Sequence, residues 1–330
     1  MRLVIPHELA HVRLDAALAR LLPEHSRSRL AAWLEAGRIR VDGAHWPGKR
    51  RVAGGETIEL DVPEPVEAGR DEPEARPLSI LFEDEELLVL DKPPGLVVHP
   101  GAGHPRGTLL NALLHHAPQL SALPRAGIVH RLDRDTSGIM MVAKTLEAHT
   151  ALVRELQARK VRREYLALVH GLIERAGRIE GAIGRDPHRR TRMAVVEPAR
   201  GKPAITHYRP REVFAAADTR PTLTLIECRL ETGRTHQIRV HLAHLGHPLV
   251  GDPVYGRRRD RLLGRQALHA WRLSLSHPRS GEPLRLSAPL APDFAALVRA
   301  LRAGQQWPGT APRRGQRLHD EAPRIDDAPA

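Results

Sequence analysis

The sequence predicts an α+β protein built from two folded units, and three observations lead there. Short apolar stretches of strand length, often alternating and bounded by Gly or Pro, recur through the larger part of the chain. Stretches with helical spacing fall between them without a regular strand–helix–strand rhythm, which argues against a doubly wound parallel sheet. A Pro-rich acidic segment, "PEPVEAGRDEPEARP" (63–77), separates a compact first block from the rest. That composition resists folding and reads as a linker.

The first block, residues 1–62, opens with "RLDAALARLL" (13–22), where Leu14, Leu18 and Leu21 share one helical face. "SRSRLAAWLEAG" (26–37) begins on Ser and closes at Gly37, the usual start and stop signals of a helix. "RIRVDG" (38–43) is a strand running into an Asp-Gly turn, and "TIELDV" (57–62) is a second strand. Two helices and a hairpin studded with Arg27, Arg29, Arg38, Lys49, Arg50 and Arg51 make a small basic module.

The second block runs from about 78 to 304. Its predicted strands are "LSILFE", "ELLVLDK", "GIMMVAK", "REYLALVHG" and "TLTLIECRLE", and its clearest helices are "LEAHTALVRELQARK" (146–160) and "PDFAALVRALRAG" (292–304). Residues 305–330, rich in Pro, Arg and Asp, are expected to be a disordered tail.

Net charge narrows the partners. The chain carries +12, almost all of the positive side from Arg, since Lys stands only at 49, 92, 144, 160 and 202. Planar guanidinium donors on a basic chain suit a phosphate backbone. One cysteine, Cys228, excludes an internal disulfide and a multi-Cys zinc site. No stretch approaches the ~18 apolar residues of a membrane span, and no secretory h-region opens the chain, so a cytoplasmic location is expected.

Several chemistries fall away. No P-loop or nucleophile-elbow pattern is present, and "GAGHPRG" (101–107) has the wrong spacing and setting for a dinucleotide loop. "DTSG" (135–138) resembles an aspartic-protease motif, but that reaction needs a second carboxylate in a second copy. His236, His241, His244 and His247 cluster, yet a chain with 20 His makes such clusters by chance, and no metal is expected. Four stretches remain that join charge to apolar structure: "HRLDRDTSG" (130–138), "RREYLALVHG" (162–171), "LETGRTHQIRVHLAHLGHPLVGDPVYG" (230–256) and "LHAWRLSLSHP" (268–278). Taken singly, Asp133 could be a turn carboxylate, Tyr165 a sheet residue and Arg239 a surface charge.

Taken together and in this order, the four stretches resemble the RluA-type RNA pseudouridine synthases over nearly the whole chain except the tail. Residues 1–62 resemble the S4 RNA-binding module that precedes the catalytic domain in many members. "NALLHHAP", "LPRAGIVHRLD", "MAV" and "GKPAITHY" are similar to the bacterial branch acting on large-subunit ribosomal RNA. The resemblance implies an S4-like domain at 1–62, a linker at 63–77, a catalytic domain at 78–304 with a mixed, mainly antiparallel sheet, and a disordered tail. It implies isomerisation of uridine to pseudouridine in 23S ribosomal RNA, at the stem-loop bridging to the small subunit, with no cofactor. Transfer RNA or another ribosomal site is the alternative target, and a non-catalytic ribosome assembly factor the alternative class.

The same resemblance assigns roles. Asp133 would act at the sugar carbon C1′ as nucleophile, base or electrostatic stabiliser. Arg239 would keep it ionised, its planar fork gripping the carboxylate with two bonds. Tyr165 would stack on the uracil and Ile238 would wall the base pocket. Arg131 would fill the space left by the flipped nucleotide. His130, Leu132 and Thr136 would complete the substrate site, and Arg27, Arg29, Lys49, Arg50 and Arg51 would hold RNA. The expected partner is ribosomal RNA or a pre-50S particle, met by a monomer without membrane contact.

Overall fold

A computed structural model of the chain describes residues 2–22, 27–61, 72–101, 103–189, 191–216, 221–257, 260, 262–305 and 307, the side chains of 27–29 and 32 excepted. The chain divides into two compact units, residues 1–68 and 69–330.

The first unit holds β1 (Arg2–Val4), α1 (Leu14–Leu21), α2 (Arg27–Glu35), β2 (Ile39–Val41) and β3 (Thr57–Leu60). Leu14 and Leu18 of α1, Leu30 and Leu34 of α2, and Ile39, Val41, Ile58 and Leu60 of the strands form one buried cluster. Asp42 and Gly43 take positive φ (50° and 75°) to turn the chain after β2. β1, three residues long, is too short to show a period in sequence, yet it pairs with β3 on the side opposite β2. Only Gln305 and Trp307 of the predicted tail are described, Trp307 donating its indole N–H to the Leu262 carbonyl at 2.6 Å. Most of the expected linker lies outside the described residues. From Glu72 onward the chain is already held: Asn111 Nδ2 donates to the Glu72 carbonyl at 2.8 Å, and the Glu74 N–H donates to the Asn111 carbonyl at 3.0 Å.

In the second unit, the elements follow as β4 (Ser79–Glu83), β5 (Leu87–Lys92), α3 (Leu109–His116), β6 (Ser137–Ala143), α4 (Leu146–Gln157), β7 (Arg162–His170), β8 (Gly177–Glu180), β9 (Ala182–Arg185), β10 (Met193–Val196), β11 (Ile205–Phe214), β12 (Leu223–Leu230), α5 (Gln237–His244), β13 (Leu268–Ser276), β14 (Pro283–Ser287) and α6 (Pro292–Arg302). Nine strands make one sheet in the order β4-β5-β6-β13-β7-β12-β11-β8, with β14 beside the far half of β13. Every pairing in it is antiparallel except β6 with β13, so the sheet is mixed and mainly antiparallel, as an α+β fold requires. β9 and β10 form a separate two-stranded ribbon.

Helix boundaries follow local chemistry. Thr108 and Asn111 form a capping box at the start of α3, and the Thr145 hydroxyl accepts from the Ala148 N–H at 3.1 Å to start α4. Strand alternation sorts side chains between two cores. On β7, Tyr165, Ala167 and Val169 join the larger cluster with β5, β6 and α3. Leu168, between them, packs with Phe294, Leu297, Val298 and Leu301 of α6. Phe294 is fully buried, so its truncation to Ala should cost about 3–5 kcal/mol. Gly138 at the β6–β13 junction has φ +112°, and a Cβ there would run into the Ala270 carbonyl, so no other residue fits this close pairing. Among the described residues no helix is long and apolar enough to cross a membrane.

Candidate active site

Three segments converge where β6 and β13 begin to pair. They are the loop 128–136 entering β6, the middle of β7, and the start of α5. They enclose a cavity of about 530 Å³. Asp133, Tyr165, Arg131, Ile238, His130, Leu132 and Thr136 all line it. Arg239, the remaining residue assigned to this site from sequence, stands behind the wall and reaches Asp133 from there.

The loop is irregular and largely shielded from solvent, only Arg131 and Arg134 being exposed, so its inward backbone groups need side-chain partners. Lys92, fully buried at the end of β5, donates to the carbonyls of Pro93, Leu96 and Arg134 at 2.8, 3.0 and 2.9 Å. Burial pushes its pKa down to about 7 against the pull of Asp135 and Asp133. Arg265 donates to the Asp135 carbonyl at 3.1 Å while gripping Asp293 with two bonds of 2.8 Å. Gln266 donates to the Thr136 hydroxyl at 3.1 Å. Thr136, assigned to the substrate, is thus tied into the loop's frame.

Asp133 accepts from Arg239 Nη1 at 2.9 Å through Oδ2. The two-bond grip expected on Asp133 goes elsewhere. Arg239 Nε and Nη2 bind the Asp252 carboxylate at 2.7 and 2.9 Å, and Asp133 receives a single bond from the third nitrogen. The physical reason is burial. Asp252 has a fully buried side chain and demands the stronger pairing, whereas the Asp133 side chain keeps 19% exposure toward the cavity. Burial alone would raise the Asp252 carboxyl, but Arg239 and then the N–H groups of Tyr255 and Val254 hold it below its ordinary value. The same carboxylates keep Arg239 firmly protonated despite its burial.

His130 is placed differently from a substrate ligand. Its Nε2 accepts the Met141 N–H at 3.0 Å, and burial, with Arg163 nearby, pushes its pKa down to about 3. It props the loop as a neutral ring. Arg131 is exposed at the cavity rim, where Arg125 and Arg234 add positive charge, while Arg163 lines the cavity as a buried residue. Tyr165 is buried, which raises its phenol pKa, and with Leu132, Ile238 and Leu268 it forms an apolar wall. Sequence reasoning missed Asp252, Tyr255 and His236 as parts of this site. His236 Nδ1 lies 2.9 Å from Tyr255 Oη, and its Nε2 lies 3.9 Å from Asp133 Oδ1. The signal for Asp252 and Tyr255 was the "GDPVYG" stretch, whose Gly, Pro and Asp look like ordinary turn composition, and for His236 its place three residues before Arg239, where it read as one of many histidines.

The other histidines of that cluster diverge. His241 bonds the Thr206 hydroxyl at 2.9 Å and His247 the His170 carbonyl at 2.9 Å. Among the described residues no group of three or more His, Cys, Asp or Glu is arranged to hold a metal ion. Chemically, the cavity offers a carboxylate whose second oxygen is not taken by Arg239, an adjoining apolar wall with a phenol, and a cationic rim. That set suits attack on, or stabilisation of, an electron-poor carbon in a polyanionic substrate.

In the first unit, Lys49, Arg50 and Arg51 are exposed, with the Arg50 guanidinium 3.4 Å over the Trp46 ring. The side chains of Arg27 and Arg29 lie outside the described residues.

Comparison with known proteins fits both units. The family model for RNA pseudouridylate synthase matches residues 86–244, and that for the S4 domain matches 12–45. A protein of Nitrosomonas europaea named ribosomal large subunit pseudouridine synthase D is 55% identical, covering 92% of this chain and 88% of its own length. A Pseudomonas aeruginosa protein of the same name is 50% identical, covering 92% and 96%. The solved structure of human RNA pseudouridylate synthase domain containing 1 superposes with a TM-score of 0.53 at 29% identity, covering 71% of this chain and 99% of that one.

Proposed function

This chain belongs to the RNA pseudouridylate synthase family, and from that membership we propose that it isomerises specific uridines of large-subunit ribosomal RNA to pseudouridine. The observation that carries the reading is Asp133, ion-paired to a buried Arg239 and opening on a cavity walled by Tyr165 and Ile238. In the reaction the N1–C1′ bond breaks, the uracil turns, C5 bonds to C1′ and loses its proton, and N1 takes up a proton in its place. Atoms balance without an added group.

The Asp133 carboxylate meets C1′ as this carbon becomes electron-poor, as nucleophile, base at the sugar or counter-charge, and Arg239 holds it in position. The detached uracil is kept against the apolar wall that Tyr165 shares with Leu132, Ile238 and Leu268, where water neither carries it off nor intercepts it. A base inside a helix is out of reach of this carboxylate, so the nucleotide flips out at a cost of a few kcal/mol, and Arg131 at the rim takes its place. The S4 unit supplies further phosphate contacts through Lys49, Arg50 and Arg51. We assign the target to the stem-loop that bridges the subunits, met on ribosomal RNA or a large-subunit precursor by a cytoplasmic monomer.

The test is tritium release from C5-labelled uridine in ribosomal RNA, with Asp133→Asn as control, joined to carbodiimide mapping of pseudouridine with and without the gene. Release that Asp133→Asn abolishes, at large-subunit positions lost with the gene, supports the reading. Modification lost from transfer RNA instead would move the target, full release by Asp133→Asn would remove Asp133 from the chemistry, and no release by the wild type would leave an RNA-binding assembly factor.

A further inference from the structure

Asp133 gives Oδ2 to Arg239, and its other oxygen, Oδ1, stands beside His236 Nε2 at 3.9 Å. The state of that imidazole is fixed from its far side. The Met193 backbone N–H donates to Tyr255 Oη at 2.9 Å, and a backbone N–H only donates. Tyr255 Oη also lies 2.9 Å from His236 Nδ1. Oη takes the Met193 N–H, and among the described residues Nδ1 is the acceptor within reach of the phenol's own proton, so the arrangement that gives every proton a partner has Oη–H donating to Nδ1. The ring proton therefore sits on Nε2, on the side of Asp133. Burial also lowers the His236 pKa against the opposing charge of Asp133, which keeps the ring neutral. His236 holds this pose at an unusual backbone position, φ 57° and ψ 21°, immediately before α5.

Nε2 and Oδ1 are too far apart to bond directly, yet one oxygen can touch both. An atom ~2.8 Å from each subtends an angle of about 90°, which a hydroxyl tolerates. That atom must accept the proton of Nε2–H and donate one to Oδ1. The ribose ring oxygen has no proton to give. A hydroxyl does both, and the one next to C1′ is the 2′-hydroxyl.

We infer that His236 and Asp133 together bind the 2′-hydroxyl of the target ribose, with Tyr255 as the residue that positions His236. The inference rests on Asp133 acting at C1′. It gives the site a means of telling RNA from DNA at the reacting nucleotide. It also gives the carboxylate a sugar contact that strengthens as charge develops at C1′, as the 2-hydroxyl contact does in glycoside hydrolysis.

The experiment uses the full-length protein and a synthetic stem-loop around a mapped target uridine. That nucleotide alone is either ribose or 2′-deoxyribose, and single-turnover conversion is followed. The wild type should convert the 2′-deoxy RNA about tenfold to a hundredfold more slowly, the effect of one or two charge-linked hydrogen bonds. His236→Ala should lose a similar factor on the all-ribose RNA and little more on the 2′-deoxy RNA, because one contact cannot be removed twice. His236→Gln, whose amide N–H can stand in for Nε2–H, should recover part of the rate, and Tyr255→Phe should lose less than His236→Ala. Equal wild-type rates on the two RNAs would overturn the inference, and so would penalties that multiply in full. Should a variant fail to fold, the wild-type comparison still decides. No product from the all-ribose RNA would remove the isomerase reading and this inference with it, an outcome distinct from a loss confined to the sugar.

Discussion

Asp252→Asn tests whether Arg239 must be gripped from behind to serve Asp133. The Asp252 side chain is fully buried, and that of Arg239 is 5% exposed. Asn keeps the shape but removes the charge, and its amide N–H₂ meets Nε–H or Nη2–H head-on where an oxygen had accepted. Removing one partner of a buried ion pair costs about 3–5 kcal/mol, and because Asp133 still pairs with Arg239 the lower end is expected. In a unit of this size each kcal/mol lowers Tm by about 2–4 °C, so the melt should fall by about 6–12 °C. Chemistry should suffer separately. At a temperature where both proteins are folded, the single-turnover rate at saturating RNA should drop about a hundredfold, since a loosened guanidinium misplaces Asp133. RNA affinity, carried by exposed cations elsewhere, should stay within about twofold. The assay is a thermal melt beside conversion rates and filter binding on one stem-loop. A lowered Tm with full rate would show that Asp252 supports only the fold. An unchanged Tm and rate would refute the buried-pair argument altogether.

Arg131→Ala should slow conversion of a uridine inside a stem far more than of one in an unpaired strand, because only the former leaves a stack to fill; equal losses on the two RNAs would contradict the assignment. Joint replacement of Lys49, Arg50 and Arg51 by Ala should make the dependence of log affinity on log salt shallower by about 2–3, near one phosphate per cation, while the rate at saturating RNA holds; an unchanged slope would remove these residues from the RNA contact. His130 gives a pH prediction. Its folded pKa of about 3 lies below the unfolded value of about 6.5, so the unfolded chain binds the extra proton between them, and stability falls as pH drops from about 6.5 toward 3. His130→Gln, with an oxygen to accept the Met141 N–H and no proton to gain, should make that decline shallower in urea unfolding at stepped pH. His99 and His269, each held down to about 4 chiefly by burial, keep it from vanishing. An undiminished slope would show that His130 does not carry this linkage.

How much was legible in the sequence depended on how local the signal was. Five strands of the large sheet, β4, β5, β6, β7 and β12, announced themselves because each has a run of β-branched or aliphatic residues ended by Gly, Pro or a charge, and β7 and β12 fall within a residue or so of the stretches that mark them. β8, β11, β13 and β14 went unread, β11 because Pro210 and alternating charges interrupt it and β8 and β14 because they are short and polar. The order of the strands in the sheet did not announce itself, since β13 enters between β6 and β7 from more than a hundred residues away. The same limit applies to the site. Asp133 and Arg239 meet across 106 positions, and no period or spacing joins them; the motif order shared with a family did. What the motif could not supply was the division of Arg239's three nitrogens. That is decided by which carboxylate is drier, a property of the finished fold.

The loop that carries "HRLDRDTSG" is held by cations that lie outside it in the sequence. A buried loop without helix or strand must find partners for its carbonyls among side chains. Here the Arg134 carbonyl takes Lys92 and the Gly95 N–H, and the Asp135 carbonyl takes Arg265. These cations come from positions that read, in sequence, as surface charge at the end of a strand or within a loop. With its backbone bonded in this way, the loop has few alternative conformations, and the Asp133 side chain inherits that restraint. Arg239 then has to settle only one side-chain orientation, which a single hydrogen bond can do. A catalytic carboxylate on a freely moving loop would have needed the two-bond grip that the sequence suggested. On this loop the grip is released to Asp252, and Oδ1 of Asp133 is left facing the cavity.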